Sequence, residues 1–220
     1  MTMPDLHARL LADVVAIGAP FPLVLTGGYG VQAHELLERT SNDLDVATQT
    51  SLPMTEVAAT LDSGLAERGW QVEVIEIAPL SARFHVTAPA LGTGCEVDVL
   101  KETFTRPIAH SKYGPVLAEE DLLGTKVRAL ADRGAARDLL DCFAASRRWT
   151  NTDLEELGRR HAREVFDLED LQLRLAGADW IDDAEFAGYG LDEAAVSALR
   201  SWAQQWSDDL ARRLHRDDPA

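Results

Sequence analysis

The chain is short of basic charge: 21 Lys and Arg stand against 37 Asp and Glu in 220 residues, a formal net charge of −16 at pH 7. Neutralising a phosphate backbone requires clustered Lys and Arg, so this excess of acid argues against a broadly adhesive nucleic-acid binder. Cysteine is scarcer still. Cys95 and Cys142 form no CxxC pair and have no histidine partners, so they read as small core residues of a chain kept in a reducing cytoplasm, with no zinc site. No apolar run approaches the length that spans a bilayer, and Met1 to Gly18 reads as an amphipathic helix without a signal-peptide layout. A cytoplasmic chain with no membrane partner is therefore expected. It contains no internal repeat and no low-complexity segment. Its length and 46% hydrophobic content allow one or two domains with a real core.

Against this background one ordered pair of motifs stands out: Gly27-Gly28, then Asp43-Leu44-Asp45. The run Leu23-Val24-Leu25-Thr26 before the glycines reads as a buried strand, and Val31, Ala33, Leu36 and Leu37 recur after them at helical spacing, predicting a helix over 29–39. A Gly-Gly turn between strand and helix lets backbone N–H groups approach an anion. Asp43 and Asp45 then alternate with Leu44 and Val46, so in a strand both carboxylates share one face while the apolar side chains take the other. Two carboxylates side by side repel, and a divalent cation relieves them: Mg²⁺ binds a few carboxylate oxygens and keeps positions open for substrate phosphates. Taken singly, each motif is more simply a tight turn or an acidic strand end. Their order makes a phosphate lying between glycine turn and metal the better reading.

Cys95-Glu96-Val97-Asp98-Val99-Leu100 alternates in the same way, with Glu96 and Asp98 on one face. Acid on the sheltered face of an apolar strand is costly unless paired or metal-bound. Asp98 is the expected third ligand of a two-metal site, oriented to activate an attacking hydroxyl. Glu96 reads equally well as a solvated strand residue. Farther on, Leu122, Leu123, Lys126, Val127 and Leu130 fall at helical spacing behind Glu119, Glu120 and Asp121 in the first turn. Lys126 thus lies beside an apolar stripe. Its ammonium either meets an anion, a triphosphate being one candidate, or snorkels to water. Asp138 and Asp141 border the buried side of the next helix, where Arg133 and Arg137 are the simple partners.

At coarse grain an N-terminal helix is followed by strand 22–26, helix 29–39, strand 44–48, helix 54–68 after Pro53, and extended runs near 71–77, 82–87 and 95–100, a mixed α/β sheet with helices packed on it. Thr103 to Gly114 reads as a loop. Thereafter residues 118–131, 134–146, 151–163, 167–176 and 191–214 all carry helical periodicity, with Asn151 and Asp192 as caps. Trp180, Trp202 and Trp206 read as packing residues of this helical region, and Asp217 to Ala220 as a frayed tail. Between Lys126 and Arg163 nine Lys and Arg stand against six Asp and Glu, a local basic excess that either faces a polyanion such as tRNA or is a solvated helical surface.

The succession of apolar strand, Gly27-Gly28, helix, Arg39-Thr40-Ser41-Asn42-Asp43-Leu44-Asp45 and a later apolar strand bearing Asp98 resembles the nucleotidyltransferases of the DNA polymerase β superfamily. With Lys126 in Asp121-Leu122-Leu123-Gly124-Thr125-Lys126 and the following Arg137-Asp138-Leu139-Leu140-Asp141, it is most similar to the AbiEii/AbiGii toxin family of bacterial toxin–antitoxin systems, which includes the MenT toxins. The resemblance covers roughly residues 20 to 148. It implies an α/β (α+β) fold, a polymerase-β-like mixed sheet with flanking helices over 1–115, then a helical region over 116–220 that contributes Lys126 and Asp138 to the site. It implies NMP transfer from an NTP to an acceptor hydroxyl. Gly27, Gly28, Ser41 and Lys126 would bind nucleotide, Asp43, Asp45 and Asp98 would hold two Mg²⁺ ions (or Mn²⁺), and Asp138 would join the catalytic set while Asp141 would not. The acceptor so implied is the tRNA 3′ end, with a cognate antitoxin as protein partner. Two other readings stay open: transfer to a cationic antibiotic of the lincosamide or aminoglycoside kind, suggested by Gly27-Gly28-Tyr29-Gly30-Val31 and the acidic surface, and a non-catalytic nucleotide-sensing or antitoxin-binding module, against which the intact Asp43, Asp45 and Asp98 speak.

Overall fold

The computed structural model describes residues 3–39 and 41–217. Met1 and Thr2 of the expected N-terminal helix, Thr40 of the acidic motif, and the tail residues 218–220 lie outside the described residues. The chain divides into two compact units, Met1–Glu119 and Glu120–Ala220.

The first unit is built on a seven-stranded mixed sheet. Its strands are β1 (Val24–Leu25), β2 (Asp43–Thr48), β3 (Gln71–Ala78), β4 (Ser81–Ala88), β5 (Thr93–Lys101), β6 (Ala109–Ser111) and β7 (Gly114–Val116), in the order β3-β4-β5-β2-β1-β7-β6. β2 pairs parallel with β5 and antiparallel with β1, while β4 pairs antiparallel with both β3 and β5. Helices α1 (Asp5–Ile17) and α3 (Met54–Glu67) cover it. Each is amphipathic: α1 buries His7, Leu10, Leu11 and Val14, and α3 buries Val57, Ala58, Leu61 and Leu65, the three- and four-residue spacing that makes one apolar stripe. Beneath them lie Leu44 and Val46 of β2, Val97 and Val99 of β5, and Phe84 and Val86 of β4, all buried in one cluster. Each such side chain contributes roughly 1.5–3 kcal/mol on burial. One face of the sheet is thereby committed to the core, and the alternate residues of β2, β4 and β5 are forced to the other.

The short helix α2 (Gly27–Ala33) departs from the periodicity, which predicts a helix to residue 39. Glu35 adopts φ 57°, in the left-handed region, and a right-handed helix cannot pass through it. Another departure falls in the expected loop Thr103–Gly114, where residues 109–111 form β6 against β7. β6 is three residues long, too short for the alternation that marks a strand in sequence.

The second unit is helical: α4 (Glu119–Arg133), α5 (Ala136–Ala145), α6 (Asn151–His161), α7 (Leu168–Ala176), a 3₁₀ turn at Gly177–Trp180, α8 (Asp183–Gly188) and α9 (Glu193–Asp217). α9 thus runs past the expected end at 214 and includes the backbone of Asp217, the first residue of the expected frayed tail. The cap of α6 is Thr150, one residue before the expected Asn151: its Oγ1 accepts from Asp153 N while Asp153 Oδ2 accepts from Thr150 N, both at 3.1 Å, a reciprocal capping box. Asp192 caps α9 as expected, accepting from Ala195 N at 2.8 Å. Trp206 is fully buried and donates Nε1 to Glu155 Oε1 at 2.8 Å. Trp180 corrects the expectation of a packed indole: it is 90% exposed at the end of the 3₁₀ turn. Among the described residues no helix is long and apolar enough to cross a membrane.

α4 and α6 meet where Gly124 lacks a side chain. A Cβ there would come within 2.3 Å of His161 Cδ2 and 2.6 Å of the Leu157 carbonyl oxygen. Backbone cannot yield cheaply, so Gly124→Ala is expected to lower unfolding stability by about 1–3 kcal/mol, measured by urea denaturation; an unchanged midpoint would contradict this packing.

Candidate active site

The polar face of the first sheet carries an ordered grid of charge. Across β2, β5 and β4 the register sets Asp45 beside Asp98 and Asp98 beside Arg83, and in the next row sets Asp43 beside Glu96 and Glu96 beside His85. Cross-strand neighbours project to the same face, so both rows stand on one surface. Asp43, Asp45 and Asp98 are half-buried, and Glu96 is exposed.

Gly27 and Gly28 stand against this row. A Cβ on Gly27 would fall 1.8 Å from Asp45 Oδ2, and Gly27 has φ 60°, so both space and backbone conformation demand glycine. A Cβ on Gly28 would meet Ser41 Oγ at 2.4 Å and Arg39 Nη1 at 3.1 Å. The bare sides of the two glycines thus admit Asp45, Ser41 and Arg39, a use that the sequence pattern, read as an approach to anions, does not reveal.

Ser41 is fixed from below. Its carbonyl accepts from the Tyr29 hydroxyl at 2.9 Å, and His7 Nδ1 lies 2.6 Å from the Tyr29 oxygen. Because the tyrosine proton goes to Ser41, the assignment that satisfies both contacts is a donating Nδ1–H on His7. Burial lowers the His7 pKa, with Asp43 partly opposing it, and pushes the Tyr29 hydroxyl up to about 12, so the chain stays neutral. The Ser41 hydroxyl in turn donates to Asp43 Oδ1 at 2.9 Å, and Gln32 Nε2 donates to the Arg39 carbonyl at 2.5 Å. The loop bearing Arg39 and Ser41 is therefore tied to α1 and α2 before it delivers Asp43. Sequence reading missed His7 and Tyr29, whose only signal is a polar residue inside an apolar stripe.

Arg83 is the other group it missed. Its Nε donates to Asp98 Oδ1 at 2.7 Å and its Nη2 to Asp98 Oδ2 at 2.8 Å. The hydrogen bonds and charge of Asp98, then the charges of Glu96 and Asp45, raise the Arg83 pKa. The three expected carboxylates therefore come to adjacent strands, but among the described residues no group of three or more His, Cys, Asp or Glu stands ready as a metal cage. Asp43 and Asp45 fit a hard cation by donor chemistry, being neighbouring carboxylates on one face, whereas both oxygens of Asp98 are engaged by arginine. Cys95 lies beneath, its thiol pushed up to about 12 by burial first and by Asp43, Asp45 and Glu96 next, which leaves it unreactive.

The second unit holds Lys126 and Asp138, each in an ion pair of that unit. Lys126 Nζ lies 2.9 Å from Asp141 Oδ2, with 10% and 0% of the two side chains exposed. The fully buried Asp138 accepts from Arg133 Nε at 2.7 Å and Nη2 at 2.9 Å. The anion that Lys126 requires is thus supplied within the fold. Much of the basic excess is likewise answered locally, since Arg159 and Arg160 both donate to Glu156 at 3.1 Å.

The sequence profile of the nucleotidyl transferase AbiEii toxin, of type IV toxin–antitoxin systems, matches residues 9–212. The chain belongs to the AbiEii family. It is accordingly a nucleotidyltransferase, with the mixed sheet and helical C-terminal region expected from sequence. Among solved structures it is similar to MenT4, a nucleotidyltransferase toxin from Mycobacterium tuberculosis, at 18% identity and a TM-score of 0.61, covering 94% of this chain and 86% of that one. JHP933 from Helicobacter pylori is also similar, at 18% identity and a TM-score of 0.54 over 98% of this chain and 97% of that one. At such identities the likeness is one of fold. No curated protein matches the chain in sequence.

The Lys126–Asp141 pair yields a test. Lys126→Met removes a cation from a carboxylate with no solvent access, an expected cost of about 3 kcal/mol, and Asp141→Leu in the same chain should recover part of it. Chemical denaturation of the single and double variants measures both; equal loss in the two would contradict the pairing.

Proposed function

We propose that this AbiEii-family chain transfers NMP from an NTP to the 3′ end of tRNA in a Mg²⁺-dependent reaction and thereby acts as the toxin of a toxin–antitoxin pair, with a cognate antitoxin as its partner. The observation that carries the reading is the close packing of Asp45 against the bare Gly27, with Asp43 on the same face. It joins a carboxylate pair to a backbone stretch free of side chains, which is what triphosphate and cation together require. We assign residues 1–115 as the nucleotidyltransferase α/β domain and 116–220 as the helical domain.

Asp43 and Asp45 would hold Mg²⁺, with Asp98 as third carboxylate and two ions in the full complement. When bound, the ions neutralise charge on the phosphates and lower the cost of the in-line displacement. Gly27, Gly28 and Ser41 orient the triphosphate, and the neutral His7–Tyr29–Ser41 chain keeps that loop in place without adding charge. The acceptor hydroxyl oxygen attacks the α-phosphorus, its proton passes to a carboxylate, with Asp98 the assigned acceptor, and pyrophosphate leaves with the electron pair of the broken bond. Most of the acceleration in such a site comes from positioning and electrostatics. Lys126 and Asp138 remain assigned to the reaction by family likeness, and their substitution must be read against the stability cost of their own ion pairs.

The acceptor is tested by incubating the purified protein with each labelled NTP, Mg²⁺, and either total tRNA or a panel of lincosamide and aminoglycoside drugs. Label in tRNA is expected. Label in a drug alone would replace the toxin reading with drug modification, and label in neither would leave a binding module. Asp43→Ala and Asp45→Ala should each reduce transfer by at least about a hundredfold while circular dichroism stays unchanged; wild-type turnover in either would overturn the carboxylate assignment.

A further inference from the structure

We infer that Arg83 is a positioning residue that competes with an incoming divalent cation for the Asp98 carboxylate. This rests on the proposed reading in which Asp43, Asp45 and Asp98 take the metal. Arg83 sits directly opposite Asp98 in the β4–β5 register, and Asp98 directly beside Asp45 in the β5–β2 register, so cation, third ligand and first ligand lie in one row across three strands. The fork is bidentate at 2.7 and 2.8 Å, which places an N–H on each oxygen of Asp98 and sets a fixed cation against the carboxylate that a metal would use. A metal drawing on Asp98 would share these oxygens with the fork and stand against the guanidinium charge, so the two cations oppose each other.

The surroundings allow the guanidinium to leave. The Arg83 side chain is 48% exposed against 15% for Asp98, so the arginine can turn to water while the carboxylate stays. Its strand is anchored on either side by Ala82 and Phe84, each buried in the core, so release is a side-chain movement. Glu96 and Asp45 add their charge to the hold on Arg83, and the field that attracts a divalent ion attracts this cation in its place. With no metal bound, Arg83 relieves the repulsion among the neighbouring carboxylates. Metal binding at Asp98 then works against this pair, and what the fork contributes is subtracted from the affinity for the ion. The pair is partly solvated, which limits the subtraction to a modest factor.

Mn²⁺ binding to the nucleotide-free full-length protein, followed by isothermal titration calorimetry and by the electron paramagnetic resonance of free Mn²⁺, tests this without reference to turnover. Arg83→Gln is expected to bind Mn²⁺ about three- to tenfold more tightly than wild type, with Arg83→Lys between them because it keeps the charge and loses the fork. The gain should vanish on an Asp98→Asn background, which separates a contest for Asp98 from a general change of field. Equal or weaker Mn²⁺ binding in folded Arg83→Gln or Arg83→Lys, with Asp43→Asn still abolishing binding, would overturn the role of Arg83 and leave the metal assignment standing. Binding that neither Asp43→Asn nor Asp98→Asn weakens would overturn the metal assignment and the inference with it.

Discussion

The in-register parallel pairing of β2 with β5 is the constraint on which the site depends. It sets Asp45 beside Asp98 and Asp43 beside Glu96, bringing together carboxylates separated by some fifty residues of chain. The pairing is held by the opposite face, where Leu44, Val46, Val97 and Val99 are all buried. A slip of one residue in either strand would send these apolar side chains to water and the acids to the core, so the burial that stabilises the sheet also fixes the chemistry of its other side.

Concentrated negative charge has to be answered, and the three aspartates of the candidate site each meet a different neighbour. Asp43 accepts from the Ser41 hydroxyl, Asp45 fills the space left by Gly27, and Asp98 is held by Arg83. The last is an ion pair to a side chain that is 48% exposed, which makes Asp98 an adjustable member of the row. The second unit applies the same rule to deeper acids: Asp141 to Lys126, Asp138 to Arg133, Asp121 to His161 and Glu155 to Arg213. Pairs this buried are weak sources of stability but expensive to break on one side, so they specify how the helices pack more than how strongly.

Much of this organisation was legible from residue order. β3, β4 and β5 fall within two residues of the extended runs expected from sequence, and in β4 and β5 one buried face writes a period of two into the strand. The long helices follow from their apolar stripes for the same reason. α2 was not legible to its end, since Glu35 in the left-handed region leaves no mark on apolar spacing, and β6 was too short to show alternation at all. At the site, the common face of Asp43 and Asp45 followed from their spacing. Arg83 did not: a charged residue on the open face of a strand looks like ordinary solvation until its partner is known.

The order of glycine turn, paired acids, third acid, Lys126 and Asp138 was sufficient to point to the AbiEii nucleotidyltransferases, and the alternation around each acid determined which face of a strand it would occupy, because these are properties of neighbours in the chain. The partners were decided only by tertiary structure. That Arg83 meets Asp98, that Asp45 and Ser41 fill the space beside the glycines, and that Asp141 meets Lys126 all depend on which strands and helices lie side by side. A charge is paired by what is near it in space, and packing of the apolar faces sets that proximity.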